Sequence, residues 1–365
     1  MKIAIAVNHS YPNVGGSETV IKQVSEGLVK QYGYDCIVIS TTTKASFEHK
    51  GVRYLPCPNS HLDLYNMIKD CDHLLVYSDL FIHWPRMIHD ISKVPCPVTL
   101  APVGLNGALR KSIIMGKLKS QHDKMRFICH TDGYHDYTIL KDMGADVRLI
   151  PNAIDLNEFD NCKEVDVFDK YDIDKGKINI LNVSNFYPDK GQQLISASLA
   201  GLEDKCNVTL ISSGNRHGFN NQLRSMAKRT FETREIEYKM LEDISREDTI
   251  NFFKQADLFV FPSLIESFGI VPMESMACRT PWVAYPVGNM KNFKGGELID
   301  GGFSVGLDGK ISPQEDSFRI FSLKISKIAL DEELRVRLGE EGRRQIEEEY
   351  CLKAVLPKYK EAICG

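Results

Sequence analysis

The chain has 365 residues, of which 43% are hydrophobic, and 45 basic against 49 acidic side chains give it a formal net charge of −4. This length exceeds one ordinary α/β core and fits two domains. A charge so close to zero argues against a protein that coats nucleic acid or an acidic membrane, although a local basic face stays open.

The cysteines predict free thiols rather than disulfides or a metal site. There are ten, without a Cys-x-x-Cys pair or zinc spacing, a pattern typical of a reducing compartment.

The apolar run at residues 3–7 is too short for a signal peptide, and no run approaches the ~18 apolar residues of a membrane helix. We therefore expect a cytoplasmic protein, with a peripheral position on a membrane surface left open.

Short apolar runs alternate with amphipathic stretches of helix length. Continuous runs rich in β-branched residues predict parallel strands buried on both faces, joined by helical crossovers. Two such series predict two doubly wound, Rossmann-like α/β domains that face each other across a cleft. The first series has runs at 3–7, 36–40, 73–77, 97–102, 126–130 and 147–150, and the second at 178–184, 208–212, 236–241, 258–262, 282–287 and 303–307.

The junction between the domains is predicted within residues 151–177, a stretch that turns polar and charged. We place the first domain at residues 1–165 and the second at 166–345. The segment Asp331–Ile363 is predicted to be helical, with a break or kink at Pro357. Because ligands of such folds bind beyond the carboxyl ends of the strands, the loops there are the candidate sites.

A glycine turn follows the first strand. Gly15 and Gly16 precede an amphipathic helix, so the backbone could approach a ligand closely and the helix N-terminus could hold an anion. A tight turn that needs glycine explains the pair equally well. Neither GxGxxG nor GxxxxGK is present, which argues against a nicotinamide-type dinucleotide fold and a P-loop.

A second candidate loop runs from Asn182 to Gly191. Asn185 and Lys190 lie in it, and a lysine at such a loop tip can neutralise a diphosphate. A single loop lysine that is simply solvated is the alternative interpretation.

The most specific pattern spans residues 256–277. A strand leads into a loop with Glu266, and the following helix is predicted to start near Gly269 with Glu274 about one turn in. Carboxylates bind sugar and ribose hydroxyls, and a helix N-terminus holds phosphate. An acidic residue at a helix start, where it complements the helix dipole, would explain one of the two glutamates but not the pattern of residues 256–277 as a whole. The backbone N–H groups placed beside the two carboxylates are those of Phe268, Gly269 and Ile270.

Together these motifs resemble the retaining glycosyltransferases of GT-B fold, in the large family 4 of nucleotide-sugar-dependent enzymes. The resemblance covers most of the chain. It rests on Gly15-Gly16, 151–155, Lys190-Gly191, Gly214, and the string from Glu266 to Glu274 with Ala277 and Thr280-Pro281 behind it.

The resemblance implies transfer of a sugar, with retention of configuration, from a nucleoside diphosphate sugar to a hydroxyl of a glycan, lipid or other compound. On family frequency, UDP is favoured over GDP. Lys190 would bind the diphosphate and Glu266 the transferred sugar, as the catalytic candidates, while Glu274 would bind the ribose. The backbone of 268–270 would touch sugar and diphosphate.

The resemblance extends to the remaining donor residues and to the chain termini. Gly15 and Gly16 would let donor phosphate and acceptor approach. A C-terminal helix at about 346–365 would cross back onto the first domain.

Two departures from the family pattern keep other functions open. Ser184-Asn185 stands where the family usually has Gly-Arg, so Asn185 would bind the donor through a hydrogen bond and without a charge. Residues 101–104 lack a histidine that is often present. A nucleotide-sugar epimerase or phosphorylase of the same fold, or a glycosyltransferase-like binding subunit with weak turnover, therefore remain alternatives.

The segment Arg110–Arg126 is rich in lysine and arginine with apolar residues between them. It could contact a membrane surface, an anionic acceptor or a nucleic-acid acceptor. A solvated surface helix is the alternative.

No cofactor is expected, and no metal site. The donor half has no Asp-x-Asp signature at a strand end, and the histidines, among them His9, His83, His130 and His135, lack metal spacing. We predict that turnover needs no divalent cation, because a fixed lysine and a helix N-terminus stabilise the leaving diphosphate. Activity abolished by EDTA and restored by magnesium or manganese would contradict this prediction.

Overall fold

The computed structural model describes residues 1–13, 15–77, 91–102, 116, 119–212, 220–306 and 309–364. The chain forms two compact units, one made of Met1–Ile154 with Tyr350–Gly365 and the other of Asp155–Glu349. Each unit contains a sheet of mainly parallel strands, so the predicted α/β class with two domains is confirmed.

The first unit is built on an eight-stranded sheet. Its strands are Lys2–Val7 (β1), Asp35–Ser40 (β2), Phe47–His49 (β3), Val52–Pro56 (β4), His73–Tyr77 (β5), Val98–Ala101 (β6), Arg126–Cys129 (β7) and Val147–Leu149 (β8). Their order is β3-β4-β2-β1-β5-β6-β7-β8, and only the edge pair β3–β4 is antiparallel. The central strands β1, β2 and β5 are almost wholly buried, as helices on both faces require.

Among the described residues of this part of the chain, helices lie at Gly16–Tyr32 (α1), His61–Ile68 (α2) and His135–Asp142 (α3), and 3₁₀ turns at Ile91–Lys93 and His122–Lys124. Helix α1 buries the apolar face that its sequence predicts. It ends at Gly33, whose φ of +66° is the left-handed conformation that glycine adopts at no steric cost.

The second unit contains a six-stranded parallel sheet. Its strands are Ile178–Val183 (β9), Cys206–Ser212 (β10), Glu237–Glu242 (β11), Leu258–Phe261 (β12), Trp282–Ala284 (β13) and Gly296–Leu298 (β14). Their order is β11-β10-β9-β12-β13-β14. The sequence order reverses between β9 and β12, so the loops that follow these two strands lie side by side at a topological switch point.

The helices of the second unit are Leu156–Asp160 (α4), Val167–Lys170 (α5), Asn220–Thr233 (α6), Arg246–Gln255 (α7), Ile270–Ala277 (α8), Glu315–Ala329 (α9) and Glu332–Gln345 (α10). Short 3₁₀ turns lie at Pro188–Lys190, Gln192–Leu194, Ser196–Leu199 and Met290–Asn292. A separate two-stranded sheet pairs Phe303–Val305 (β15) with Ile311–Pro313 (β16).

After a π-helical turn at Ile346–Tyr350, the C-terminal helix Leu352–Cys364 (α11) packs in the first unit. A Cβ atom at Gly27 of α1 would lie 2.5 Å from Cδ1 of Leu356, so glycine permits the close approach of the two helices. The Nη1 of Arg126 donates to the carbonyl oxygen of Ala362 at 3.1 Å. The predicted return of the C-terminal helix to the first domain is confirmed.

The boundary between the units lies at Ile154, whereas the predicted boundary is at residue 165. Residues 155–165 pack in the second unit. Phe159 is buried there, Asp160 accepts hydrogen bonds from Nη1 and Nη2 of Arg343 at 2.8 and 2.9 Å, and the N–H of Val165 donates to Asn251. The polarity of residues 155–165 suggested a junction that belongs to the first domain. Their polar groups instead have partners within the second unit, so the segment is part of that unit.

Three predicted details are wrong. The run at 303–307 is predicted to be parallel, but its described part, β15, pairs antiparallel with β16. The strands β3, β4 and β14 were not predicted; β3 and β14 are three-residue strands at sheet edges, and β4 lies next to β3. The C-terminal helical segment is interrupted at 346–351, and the predicted break at Pro357 is absent, because this proline lies inside α11 on its exposed side, where water can solvate the carbonyl group left without a donor.

Candidate functional site

The loop after β9 is held by side-chain hydrogen bonds. Asn182 donates to the carbonyl oxygen of Val260 on the neighbouring strand β12 at 2.8 Å, and its own Oδ1 accepts from Ser184 at 2.9 Å. Gln192 then donates to the Oγ of Ser184 and to the carbonyl oxygen of Asn185, each at 2.8 Å. The segment that carries Asn185 is therefore tied to the strand before it and to the turn after it.

A backbone contact joins this loop to the loop after β12. Gly191 has a φ of +68°, and a Cβ atom there would lie 2.2 Å from the carbonyl oxygen of Pro262. The N–H of Leu264 donates to the carbonyl oxygen of Asp189 at 2.7 Å. Because both contacts are between backbones, the position of Lys190 relative to the second loop does not depend on flexible side chains.

Lys190 and Glu266 form an ion pair across the two loops. The Nζ of Lys190 lies 2.5 Å from Oε1 of Glu266 and 5.9 Å from the ring centre of Phe261. The lysine side chain is 27% exposed and the glutamate side chain 14%. The structure thus brings together the two residues that the sequence analysis chose as catalytic candidates. An anion that enters this site would compete with Glu266 for the ammonium group.

The N-terminus of α8 adjoins the same loop. Gly269 precedes the helix with a φ of +111°, a conformation open to glycine. Pro272 in the first turn has no N–H, so Ile270 and Val271 carry the helical N–H groups that have no intrahelical acceptor. These dipoles favour a negative charge at this helix end. The predicted helix start at Gly269 is confirmed.

Glu274 lies in α8 and is only 7% exposed. Its Oε1 lies 2.7 Å from Nη2 of Arg246, an ion pair between the two side chains. Arg246 also contacts Glu158, from Nε to Oε1 at 3.0 Å, and its guanidinium lies 5.2 Å from the ring centre of Phe159. Burial by itself disfavours a charged guanidinium, but the charges of Glu274 and Glu158 outweigh it, so the pKa of Arg246 is raised above its ordinary value.

Two residues that support the site, Arg246 and Gly288, belong to no predicted motif. Arg246 is the first residue of α7 and belongs to no motif, and the only local signal is the capping serine before it, whose Oγ accepts from the N–H of Asp248. Gly288 has a φ of +56°, and a Cβ atom there would lie 2.7 Å from the carbonyl oxygen of Phe268 and 3.1 Å from Cβ of Glu266. Such contacts come from distant segments and leave no pattern in the sequence.

The glycine pair belongs to the first unit, whereas the other candidate residues belong to the second. Gly15 precedes α1 with extended backbone, φ −179°, and Gly16 begins the helix. A Cβ atom at Gly15 would meet the carboxylate of Glu18 at 2.5 Å. Its backbone conformation does not require glycine, so the closeness of Glu18 is the local reason for a small residue.

Several predicted features lie outside the described residues. These are Val14, Val103-Gly104, His83, Gly214 and, within the basic segment Arg110–Arg126, residues 110–115, 117 and 118. Within the described residues, no group of three or more His, Cys, Asp or Glu side chains could hold a metal ion. No described helix is long and apolar enough to cross a bilayer.

His130 occupies the carboxyl end of β7 in the first unit. Its Nδ1 donates to the carbonyl oxygen of Ile150 at 2.9 Å, and its ring centre lies 5.3 Å from that of Tyr77. Burial lowers the pKa of His130 to about 4, so the imidazole is neutral at pH 7. A structural role fits these contacts.

Comparison with known proteins finds a family model that matches the second half of the chain. Residues 166–345 match the model of the glycosyl transferases group 1. An uncharacterized glycosyltransferase of Methanocaldococcus jannaschii is 27% identical over 184 residues, which are 50% of this chain and 47% of that protein. A D-inositol 3-phosphate glycosyltransferase of Pseudarthrobacter chlorophenolicus is 30% identical over 172 residues, 43% of this chain and 40% of that protein. The chain thus spans about half the length of the curated relatives it matches.

Solved structures resemble the chain over almost its whole length. A sucrose-phosphate synthase from Thermosynechococcus elongatus has a TM-score of 0.77 at 17% identity, with 99% of this chain and 97% of that chain covered. Anabaena HepE in complex with UDP and glucose has a TM-score of 0.75 at 14% identity, with 99% and 98% covered. These similarities show the fold, and the predicted GT-B class is confirmed.

The contact of Gly191 with Pro262 yields a prediction with a matched control. Gly201 also has a positive φ, +82°, but a Cβ atom there meets nothing within 4 Å. Gly201→Ala should cost ~1–2 kcal/mol for its backbone conformation alone. Gly191→Ala should cost that amount and a further ~1–3 kcal/mol for the clash with the Pro262 carbonyl. Urea unfolding of both variants measures the difference, and equal losses would show that the two loops are not in close contact.

Proposed function

We propose that this chain, which belongs through residues 166–345 to the glycosyl transferases group 1 family, transfers a sugar from a nucleoside diphosphate sugar to an acceptor hydroxyl. The observation that carries the proposal is the pairing of Lys190 with Glu266 across the loops that follow β9 and β12, next to the start of α8, the helix that also contains Glu274. The donor binds there, in the second unit.

The diphosphate of the donor binds Lys190 and the N-terminus of α8. A diphosphate carries more negative charge than the carboxylate of Glu266, so it displaces Glu266 from the ammonium group. The freed carboxylate then accepts hydrogen bonds from hydroxyls of the sugar. Glu274, which lies one turn into the same helix, accepts hydrogen bonds from the ribose hydroxyls.

Bond cleavage follows from this arrangement. The bond between C1 of the sugar and the diphosphate oxygen breaks, and its electron pair stays on the diphosphate. Lys190 and the helix dipole stabilise that charge as it grows, which lowers the barrier without a metal ion. The acceptor oxygen forms the new bond to C1 on the face that the leaving group occupied, and its proton passes to a diphosphate oxygen. The anomeric configuration is retained.

UDP is the proposed nucleotide. HepE, which shares the fold, was solved in complexes with UDP and UDP-glucose. The names of related proteins refer to inositol 3-phosphate and to capsular polysaccharide, so acceptors within the family differ widely in chemistry.

A second candidate is a donor-binding subunit with weak turnover. One reason for it is Asn185, which is uncharged where the resembled family has an arginine. The other is that Lys190 is already paired with Glu266. A nucleotide-sugar epimerase is the third. Incubating UDP-glucose, UDP-galactose and UDP-N-acetylglucosamine with and without acceptor sugars, and measuring released UDP and each donor, separates the three. Transfer releases UDP only with an acceptor, a binding subunit releases none, and an epimerase converts one donor into another.

Lys190→Ala should lower kcat as well as donor affinity. The attraction of the ammonium group for the diphosphate is stronger in the transition state, where negative charge accumulates, than in the bound donor. We expect a loss of ~2–4 kcal/mol in kcat/KM, roughly 30- to 1000-fold.

The matched control is Lys177→Ala. The Nζ of Lys177 lies 2.9 Å from Oε2 of Glu237. This pair is at the amino ends of β9 and β11, whereas the candidate site is at the carboxyl ends of the strands. This variant should keep kcat/KM within about twofold of wild type. A folded and fully active Lys190→Ala variant would remove Lys190 from the site.

A further inference from the structure

Arg246 joins the candidate donor site to the segment that enters the second unit. It begins α7, just after β11, and its guanidinium lies between two carboxylates. Nη2 is 2.7 Å from Oε1 of Glu274, and Nε is 3.0 Å from Oε1 of Glu158. Glu158 belongs to α4, immediately after the boundary at Ile154.

The two ends of this cluster differ in their surroundings. The side chain of Glu274 is 9% exposed, whereas that of Glu158 is 34% exposed. A buried carboxylate without a counter-charge is strongly unfavourable, while a carboxylate one-third exposed is stabilised by water. Arg246 is therefore needed mainly at the Glu274 end, and Glu158 together with the ring of Phe159 fixes the plane of the guanidinium.

The fixed guanidinium also constrains what Glu274 can bind. A carboxylate offers about four lone-pair positions on its two oxygens. The ion pair with Arg246 is made at Oε1, so it limits the orientation of the carboxylate and leaves Oε2 for other donors. Two neighbouring hydroxyls, such as the 2′ and 3′ hydroxyls of a ribose, match two such acceptors on one rigid group.

We propose that Arg246 is a positioning residue that orients Glu274, and that it thereby makes the donor site selective for ribonucleotides over 2′-deoxyribonucleotides. This inference rests on the proposed function, because it assumes that the ribose of the donor binds Glu274. Arg246 acts through Glu274 and takes no part in bond cleavage.

The test compares the Kd values of UDP and 2′-deoxy-UDP, and of GDP and 2′-deoxy-GDP, by calorimetry on the full chain. Wild type should bind at least one ribonucleoside diphosphate about tenfold or more tightly than its 2′-deoxy form, the size expected of a hydrogen bond to a charged group. In Arg246→Ala the same ratio should fall to about twofold, because Glu274 is no longer held in one orientation. Weaker binding of both nucleotides by an equal factor would indicate a general structural role and overturn the inference.

Two further variants keep the test decisive. Glu158→Gln keeps a side-chain oxygen that accepts from Nε of Arg246, so the guanidinium stays in place beside Glu274 and the tenfold ratio should be retained. Arg246→Lys keeps the charge but lacks the planar fork that spans both carboxylates, so its ratio should fall to about threefold even if the alanine variant fails to fold. A lysine variant with the full wild-type ratio would overturn the inference.

The same titrations separate this inference from the proposed function. Wild type that binds none of the four nucleotides overturns the proposed donor site itself. Wild type that binds ribonucleotides selectively, and keeps that selectivity without Arg246, leaves the donor site standing and removes only the role of Arg246.

Discussion

The contact between the backbone of Gly191 and the carbonyl oxygen of Pro262 is the constraint on which the candidate site depends. It holds the loop after β9 against the loop after β12, and a side chain at position 191 would push them apart. Once those loops are fixed, Lys190 can reach Glu266, and the second loop delivers Gly269 at the start of α8. The parallel pairing of β9 with β12 brings the loops together, and the glycine lets them touch.

Charge compensation is the second theme of the site. Lys190 is paired with Glu266, and Glu274 with Arg246, so each acidic group proposed to bind the donor has a cation beside it. The two pairs differ in accessibility. Lys190 is the more exposed member of its pair and can exchange a carboxylate for a diphosphate, whereas Glu274 is buried and keeps its partner. One pair is therefore suited to exchange on ligand binding and the other to hold an orientation.

Much of this arrangement could be predicted from local patterns. The buried strands of both sheets are continuous apolar runs, and the Glu266–Glu274 string contains a strand end, a loop and a helix start within one short segment. The short edge strand β14 and the partners of residues 155–165 depend on contacts with segments elsewhere in the chain, so no local pattern reports them. Arg246 was missed for the same reason, since its role appears only when α7 is packed beside α8.

The central claim is that the second unit binds a nucleoside diphosphate, and ligand-dependent stability tests it most directly. Thermal unfolding of the full chain is followed with UDP, GDP and ADP, and with UDP-glucose and GDP-mannose. A ligand that binds only the folded state, present at 100 times its Kd, stabilises it by about 2.7 kcal/mol, which shifts the unfolding temperature measurably. The account predicts such a shift with UDP and with UDP-glucose, and unfolding temperatures that stay unchanged with every one of these ligands at millimolar concentration would contradict it.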